Sequence, residues 1–394
     1  MDAIEQLLTR GVSQIYPSKE KLETLLRSGK KVTIYQGFDP TGTKLHIGHM
    51  VGLLKLRQWQ DLGHKVIFLI GTGTGLAGDP SGKQTSRTVF YTHEQLKENA
   101  KDYVLQARKI VRFEGENPVE ILYNGDWLNK LTLKDILDIA GHFTLQQFSE
   151  RDLFQERIKK GEPVSLREFM YPMLQAYDSV AMKVDVELGG TDQMFNMLMG
   201  RNLVEKMQHR EKFVMTTPLL EDSLGRKIGK TEGNVIALTD SPSDLYAKIM
   251  ALPDDIVVNA FAYLTTLPMH EILKIKEDLA NGQNPITSKK KLALTIASQL
   301  YSHEDAKQAE QSFTTVVQQG NLSNDINKVT VLENTPLIDM LLHFTLIESK
   351  SEAKRLVLQN GIRVNSEIVS DLDMTLYDND LVEVGKRKTV RIVI

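Results

Sequence analysis

The run Lys65-Val66-Ile67-Phe68-Leu69-Ile70-Gly71 constrains the fold more than any other stretch of the chain. Its apolar residues do not alternate with polar ones, so the strand it predicts is covered on both faces, as in a parallel sheet between two layers of helices. A glycine-rich loop follows, Gly71-Thr72-Gly73-Thr74-Gly75 through Gly78-Asp79-Pro80-Ser81-Gly82-Lys83, and then a helix opened by the capping box Thr92-x-x-Gln95. Residues 2–28 read as two amphipathic helices broken near Gly11 and Pro17. Further β-rich runs fall at about 31–37, Val119–Asn124, Val184–Gly189 and Phe213–Thr217, with helical periodicity between them. This alternation predicts an α/β fold, a doubly wound parallel sheet with a helical insertion between its halves.

In such sheets ligands bind where strands end and helices begin. Residues 35–49, Tyr-Gln-Gly-Phe-Asp-Pro-Thr-Gly-Thr-Lys-Leu-His-Ile-Gly-His, form one such connection. His46 and His49 flank Gly48 at the start of the next helix, where unpaired N–H groups and the helix dipole favour an anion. A glycine there lets a flat base or a phosphate approach the backbone. The same two histidines could instead simply cap the helix or enter the core.

A chain of 394 residues is long enough for two or three domains, and 41% hydrophobic with 25% charged residues is the composition of a globular protein. No apolar run approaches the length of a membrane span, and the acidic Met-Asp-Ala-Ile-Glu-Gln start is unlike a signal peptide. The absence of cysteine removes disulfides, thiol nucleophiles and cysteine metal sites together and makes a cytoplasmic location the default. A net charge of −3 leaves any nucleic-acid contact to local basic patches.

Two further stretches carry chemistry. Lys227-Ile228-Gly229-Lys230-Thr231 follows the last strand, in a loop with glycines at 225, 229 and 233, and its two lysines suit a mobile clamp on phosphate oxygens. Tyr171, Gln175 and Asp178 share one face of a helix started by Ser165-x-x-Glu168, with Pro172 either kinking it or beginning a new segment. That face could also be a solvated one. Residues 242–318 read as helices, 319–328 as a polar linker, and the tail as a helix at Ser351–Gln359 with short alternating strands.

The stretch YQGFDPTGTKLHIGHM resembles the HIGH region of class I aminoacyl-tRNA synthetases, and among them that of the tyrosyl enzymes. KIGKTEGN resembles their KMSKS loop, MYPMLQAYD their tyrosine-binding helix, and SKSEAKRLVLQNGIRVNSEIV the S4-like RNA-binding module of the bacterial members. The resemblance implies a Rossmann-like catalytic domain at 1–222 with an insertion at about 128–183. It continues with a loop and α-helical domain at 223–318, a linker at 319–334 and a small α+β S4-like domain at 335–394.

It further implies activation of L-tyrosine with ATP and transfer to tRNA(Tyr), with Mg2+ accompanying the nucleotide, no dedicated protein metal site, and a homodimer formed through the insertion. By the same resemblance Thr41, His46, His49, Lys227 and Lys230 would be catalytic. Tyr35, Asp79, Tyr171, Gln175, Asp178 and Gln193 would bind tyrosine. Gly37, Asp39, Gly48, Lys83, Arg87, Gly190, Asp192 and Lys230 would bind ATP, and Lys350, Lys354, Arg355 and Arg363 would bind RNA. Gln36 stands where many tyrosyl enzymes have cysteine and Met194 where tryptophan is common, so GGTDQMFN fits a second bacterial subtype and the ribose contact at Gln36 is unassigned. The rival readings are a tryptophanyl enzyme, disfavoured by Asp178 and the tail, and a non-catalytic RNA-binding or tyrosine-sensing paralogue, disfavoured by intact HIGH and KIGKT regions.

Overall fold

The structure is a computed structural model that describes residues 2–42, 44–81, 90–149, 151–228, 235–315, 327–332, 335–347, 349–365, 367–385 and 388–394. It divides into two compact units, Met1–Glu310 and Gln311–Ile394.

The first unit is built on a six-stranded sheet of β1 (Gln14–Tyr16), β2 (Thr33–Phe38), β3 (Lys65–Ile70), β4 (Glu120–Tyr123), β5 (Val186–Gly190) and β6 (Phe213–Thr217), in the order β1-β6-β5-β2-β3-β4. All neighbours are parallel except β1, which closes the edge antiparallel to β6. As the unbroken apolar run demands, β3 is buried from Val66 to Ile70. The chain winds outward from β2 through β3 to β4, then returns to lay β5 on the other side of β2, pairing Tyr35 with Glu187. The β2–β5 junction is therefore the switch point of a Rossmann-like sheet, and a crevice opens beyond its carboxyl ends.

The β1 strand differs from the expectation for residues 2–28. Gln14-Ile15-Tyr16 is too short to carry a period, and only its register against Val214–Thr216 makes it a strand. Pro172 does not end its helix, which runs unbroken over Leu166–Met182. Ser165 caps that helix by accepting from Arg167 N, whereas Glu168 is buried in an ion pair with Arg157 at 3.2 Å. Helices Pro242–Met250, Val257–Leu264, Met269–Ala280, Pro285–Leu300 and His303–Phe313 complete the unit. Arg10 ties them to the N-terminal segment by donating to the carbonyls of Phe261, Ala262, Thr265 and Leu267, where a helix ends with carbonyls lacking intrahelical partners.

In the second unit the five-stranded sheet β7 (Asn327–Thr330), β8 (Ile362–Val364), β9 (Glu367–Ile368), β10 (Leu381–Val384) and β11 (Lys388–Val393) has the order β7-β11-β10-β8-β9. Helices Leu337–His343 and Lys350–Leu358 complete it around a core that includes Leu337, Leu341, Ile362, Val382 and Ile392. The β7 strand lies inside the stretch read as a linker at 319–334: it pairs parallel with β11, from Asn327 on Val390 to Thr330 on Val393. Lys350, Lys354, Arg355 and Arg363 are all exposed, the first three on one helix and Arg363 on β8.

Candidate active site

A cavity of about 800 Å³ fills the crevice at the switch point. It is lined by Tyr35, Gly37, Asp39 and Thr41 from β2 and its loop, by His46, Gly48 and His49, and by Asp79. Tyr171, Gln175 and Asp178 line it from their helix, and Gly190, Asp192, Gln193 and Lys227 line the far side. Residues far apart in sequence thus meet because they lie on the central strands β2 and β5, on the loops and turns that follow strands, or on the helix Leu166–Met182. Lys83, Arg87 and Lys230 lie outside the described residues.

At the mouth, both histidines do cap the helix Ile47–Asp61, the plainer of the two readings, and that capping serves the functional one. Gly48 N donates to His46 Nδ1 at 3.1 Å and His46 N donates to His49 Nδ1 at 3.1 Å, with the rings 3.9 Å apart between centroids. Because each Nδ1 accepts, the proton of the neutral ring sits on Nε2, which makes both imidazoles donors through that nitrogen. A Cβ on Gly48 would lie 2.9 Å from His46 Cε1, so glycine is required for this ring placement.

The lysine loop is tethered at both described ends. Ile228 N donates to Leu220 O at 2.7 Å, and beyond the loop Ile47 N donates to Ile236 O at 3.0 Å while Leu238 N donates to Leu45 O at 2.9 Å. The HxGH turn and the lysine loop are therefore joined by backbone, not by sequence proximity. Lys227 Nζ lies 3.1 Å from Asp192 Oδ2.

Deeper in, the side chains form a network of acceptors with assigned donors. Asp39 accepts from Thr74 Oγ1 at 2.7 Å and from Tyr171 Oη at 2.8 Å. Asp79 accepts from Gln193 Nε2 at 2.9 Å. Asp178, 1% exposed, accepts from Trp127 Nε1 at 2.8 Å and from Asn124 Nδ2 at 3.0 Å. Burial pushes the Asp178 pKa well up, and those two donors oppose the shift by favouring the ionised form. Burial also raises the phenol pKa of Tyr35, next to the Glu187 and Asp178 charges, and that of Tyr171, next to Asp39. Both phenols stay protonated. The Tyr35 hydroxyl shares a hydrogen bond with Ser179 Oγ at 3.1 Å and also interacts with Glu187.

Gln36 lies over Gly52, where any Cβ would collide with its amide, and its buried Oε1 has no hydrogen-bond partner among the described residues. Among the described residues no group of three or more His, Cys, Asp or Glu is arranged to hold a metal ion. Sequence reasoning passed over Thr74, Asn124, Trp127, Ser179, Glu187 and Lys212. Asn124 and Trp127 stand at the carboxyl end of β4, and that position in a parallel sheet is the signal that could have found them.

A Rossmann-like sheet that brings an HxGH turn and Lys227 to one crevice is the framework of a nucleotide-binding enzyme, and the chain belongs to the family described as tRNA synthetases class I (W and Y), whose family model matches residues 27–318. Within it the similarity runs to the tyrosine branch. The tyrosine–tRNA ligase of Dehalococcoides mccartyi is 40% identical over 98% of this chain and 97% of its own length. That of Thermotoga maritima is 38% identical over 98% and 96%. Among solved structures, a C-terminally truncated mitochondrial tyrosyl-tRNA synthetase of Aspergillus nidulans superposes with a TM-score of 0.68 at 26% identity, covering 80% of this chain and 94% of that one. The fold is also that of the Archaeoglobus fulgidus tyrosyl-tRNA synthetase complexed with L-tyrosine, with a TM-score of 0.60 at 21% identity over 79% and 100%.

Proposed function

We propose that this chain is a tyrosine–tRNA ligase. A carboxylate oxygen of L-tyrosine attacks the α-phosphorus of ATP, the bond to the β-phosphate breaks, and pyrophosphate leaves. A ribose hydroxyl at the 3′ end of tRNA(Tyr) then attacks the adenylate carbonyl and AMP departs. Such transfers are accelerated by positioning and by stabilising developing charge.

The observation that carries the reading is Asp178, a buried carboxylate at the cavity floor below a mouth that bears two histidine donors and Lys227. A phenol hydroxyl meets an acceptor there, with Tyr35 beside it. Asp79, Tyr171 and Gln175 take the α-ammonium, aided by Gln193. Thr41, His46, His49, Lys227 and Lys230 act on the phosphates together with Lys83 and Arg87. Gly37, Asp39, Gly48, Gly190 and Asp192 receive the nucleotide. Mg2+ arrives with ATP. Tyrosine-dependent exchange of pyrophosphate into ATP, run against all twenty amino acids, tests the assignment; exchange driven by another amino acid, or by none, overturns it.

The exposed basic residues Lys350, Lys354, Arg355 and Arg363 support tRNA binding by the second unit. Leu133, Leu137, Leu145, Ile158 and Leu166 expose more than half of their surface on the insertion, which supports a homodimer formed there. We keep as a proposal the division that the resemblance implies, a catalytic domain with insertion, a helical domain and an S4-like domain; the pairing of β7 with β11 supports starting the last before β7 and not at residue 335. Among the described residues no helix is long and apolar enough to cross a membrane, and we place the enzyme in the cytoplasm.

A further inference from the structure

Lys212 immediately precedes β6 and is fully buried, yet no step above uses it. Its ammonium forms an ion pair with Glu187 Oε2 and donates to Ser179 Oγ at 2.6 Å. The fold makes room for it: a Cβ on Gly200 would lie 2.7 Å from Lys212 Nζ and 3.2 Å from Glu187 Oε2. A buried ion pair contributes little net stability, because the cost of desolvating two charges offsets their attraction. Its use lies on the other oxygen of Glu187.

Glu187 Oε1 accepts from Gln175 Nε2 at 3.0 Å. An ionised carboxylate has no proton to give, so the Gln175 carboxamide must turn its NH2 toward Glu187 and its carbonyl away. The carbonyl already accepts from Asn196 Nδ2 at 3.0 Å and has a second lone pair, and Gln175 lines the cavity. A carbonyl oxygen can receive an ammonium, whereas an NH2 in its place would repel one. The same lysine also reaches the other end of the cavity, since Ser179 Oγ is a partner of the Tyr35 hydroxyl.

We propose that Lys212 is a positioning residue for the α-ammonium of the substrate: its ion pair fixes the Glu187 carboxylate in place, and Glu187 orients the Gln175 carboxamide with its carbonyl toward the ligand. The proposal rests on the tyrosine-activating reading above and names the groups that make one part of that site selective for a cation.

The test compares equilibrium binding of L-tyrosine with that of 3-(4-hydroxyphenyl)propanoate, which keeps the phenol and the carboxylate and lacks the ammonium. Glu187→Gln should turn its carbonyl to Lys212 and its NH2 to Gln175, which flips the Gln175 amide. The preference for tyrosine over the propanoate should then fall about tenfold or more, with KM for ATP unchanged. Adding Lys212→Met frees the introduced amide at position 187 to present its carbonyl to Gln175, so the double variant should recover to within about threefold of the wild-type preference.

Preference retained in Glu187→Gln, or a double variant no better than the single one, overturns the proposal. So does equal weakening of both ligands together with a raised KM for ATP, which would mark a merely structural pair. Lys212→Met alone is the second variant if Glu187→Gln does not fold, and retained preference there overturns the proposal too. Failure of the wild-type enzyme to catalyse tyrosine-dependent exchange would instead refute the ligase reading, so the two failures are distinguishable.

Discussion

Replacing Asp178 by Asn changes one atom at the cavity floor and tests how the phenol is recognised. Both neighbours of Asp178 are donors, Trp127 Nε1 and Asn124 Nδ2. Asn124 cannot turn round, because its Oδ1 accepts from Gly73 N at 2.7 Å. The substituted side chain must therefore point its own NH2 at one of these donors, and no flip relieves both. Only a carboxylate meets two donors and still accepts from a phenol.

A hydrogen bond to a charged group contributes about 1.5–3 kcal/mol, so kcat/KM for tyrosine in pyrophosphate exchange should fall roughly ten- to a hundredfold. Phenylalanine brings no hydroxyl and should be used no less well than before, so discrimination falls by the same factor. Trp127→Phe extends the test. It removes one of the two donors that hold the Asp178 pKa down against burial, so the acid limb of kcat/KM for tyrosine should move to higher pH. Unchanged discrimination in Asp178→Asn, or an acid limb that stays in place in Trp127→Phe, would refute this account of the phenol pocket.

Lys227→Ala should lower kcat for adenylate formation by about a hundredfold with little change in tyrosine binding, measured by single-turnover kinetics against equilibrium binding, since its charge acts on the departing phosphates. Gly48→Ala places a methyl 2.9 Å from His46 Cε1 and should cut kcat/KM for ATP about tenfold or more while tyrosine affinity holds. Burial lowers the His64 pKa from 6.5 to about 4, so the unfolded chain binds the proton first on acidification. Stability should therefore fall by up to about 3 kcal/mol as pH drops between those values, and thermal melts of His64→Gln should lack that slope. Ending the chain at residue 315, before β7, removes nearly all of the second unit and should leave pyrophosphate exchange near normal and weaken tRNA charging, with the log–log salt slope of tRNA binding flatter by about 0.7 to 0.9 per lost phosphate contact.

What could be read from the residues follows the range of the interactions. The apolar run at β3, the capping box at Thr92 and the shared face of Tyr171, Gln175 and Asp178 are local, and the structure holds each of them. The β1 and β7 strands were not legible, because a three-residue edge strand and a strand bounded by polar sequence are defined by partners about two hundred and about sixty residues away. The capping box expected at Ser165 failed for a related reason. Its Glu168 is taken up by Arg157, a tertiary partner that outcompetes the local one.

The polar shell of the site divides in the same way. Residues that would touch ligand lie in motifs, since a loop or helix face must present them together. Those that orient them come from elsewhere: Asn124 and Trp127 lie about fifty residues before Asp178, and Lys212 lies on the approach to β6. A buried lysine is costly unless paired, so composition and periodicity leave it indistinguishable from the surface lysines around it until the fold supplies Glu187. It is paired where β6 approaches β5, at Glu187, which itself faces Tyr35 on β2. The charge proposed to orient Gln175 thus enters from the approach to β6, beside the switch point, whereas the ligand-facing groups lie on β2, its loop and the helix Leu166–Met182. Substitutions at Lys212 should accordingly alter amino-acid selectivity without touching the ligand, since Lys212 does not line the cavity.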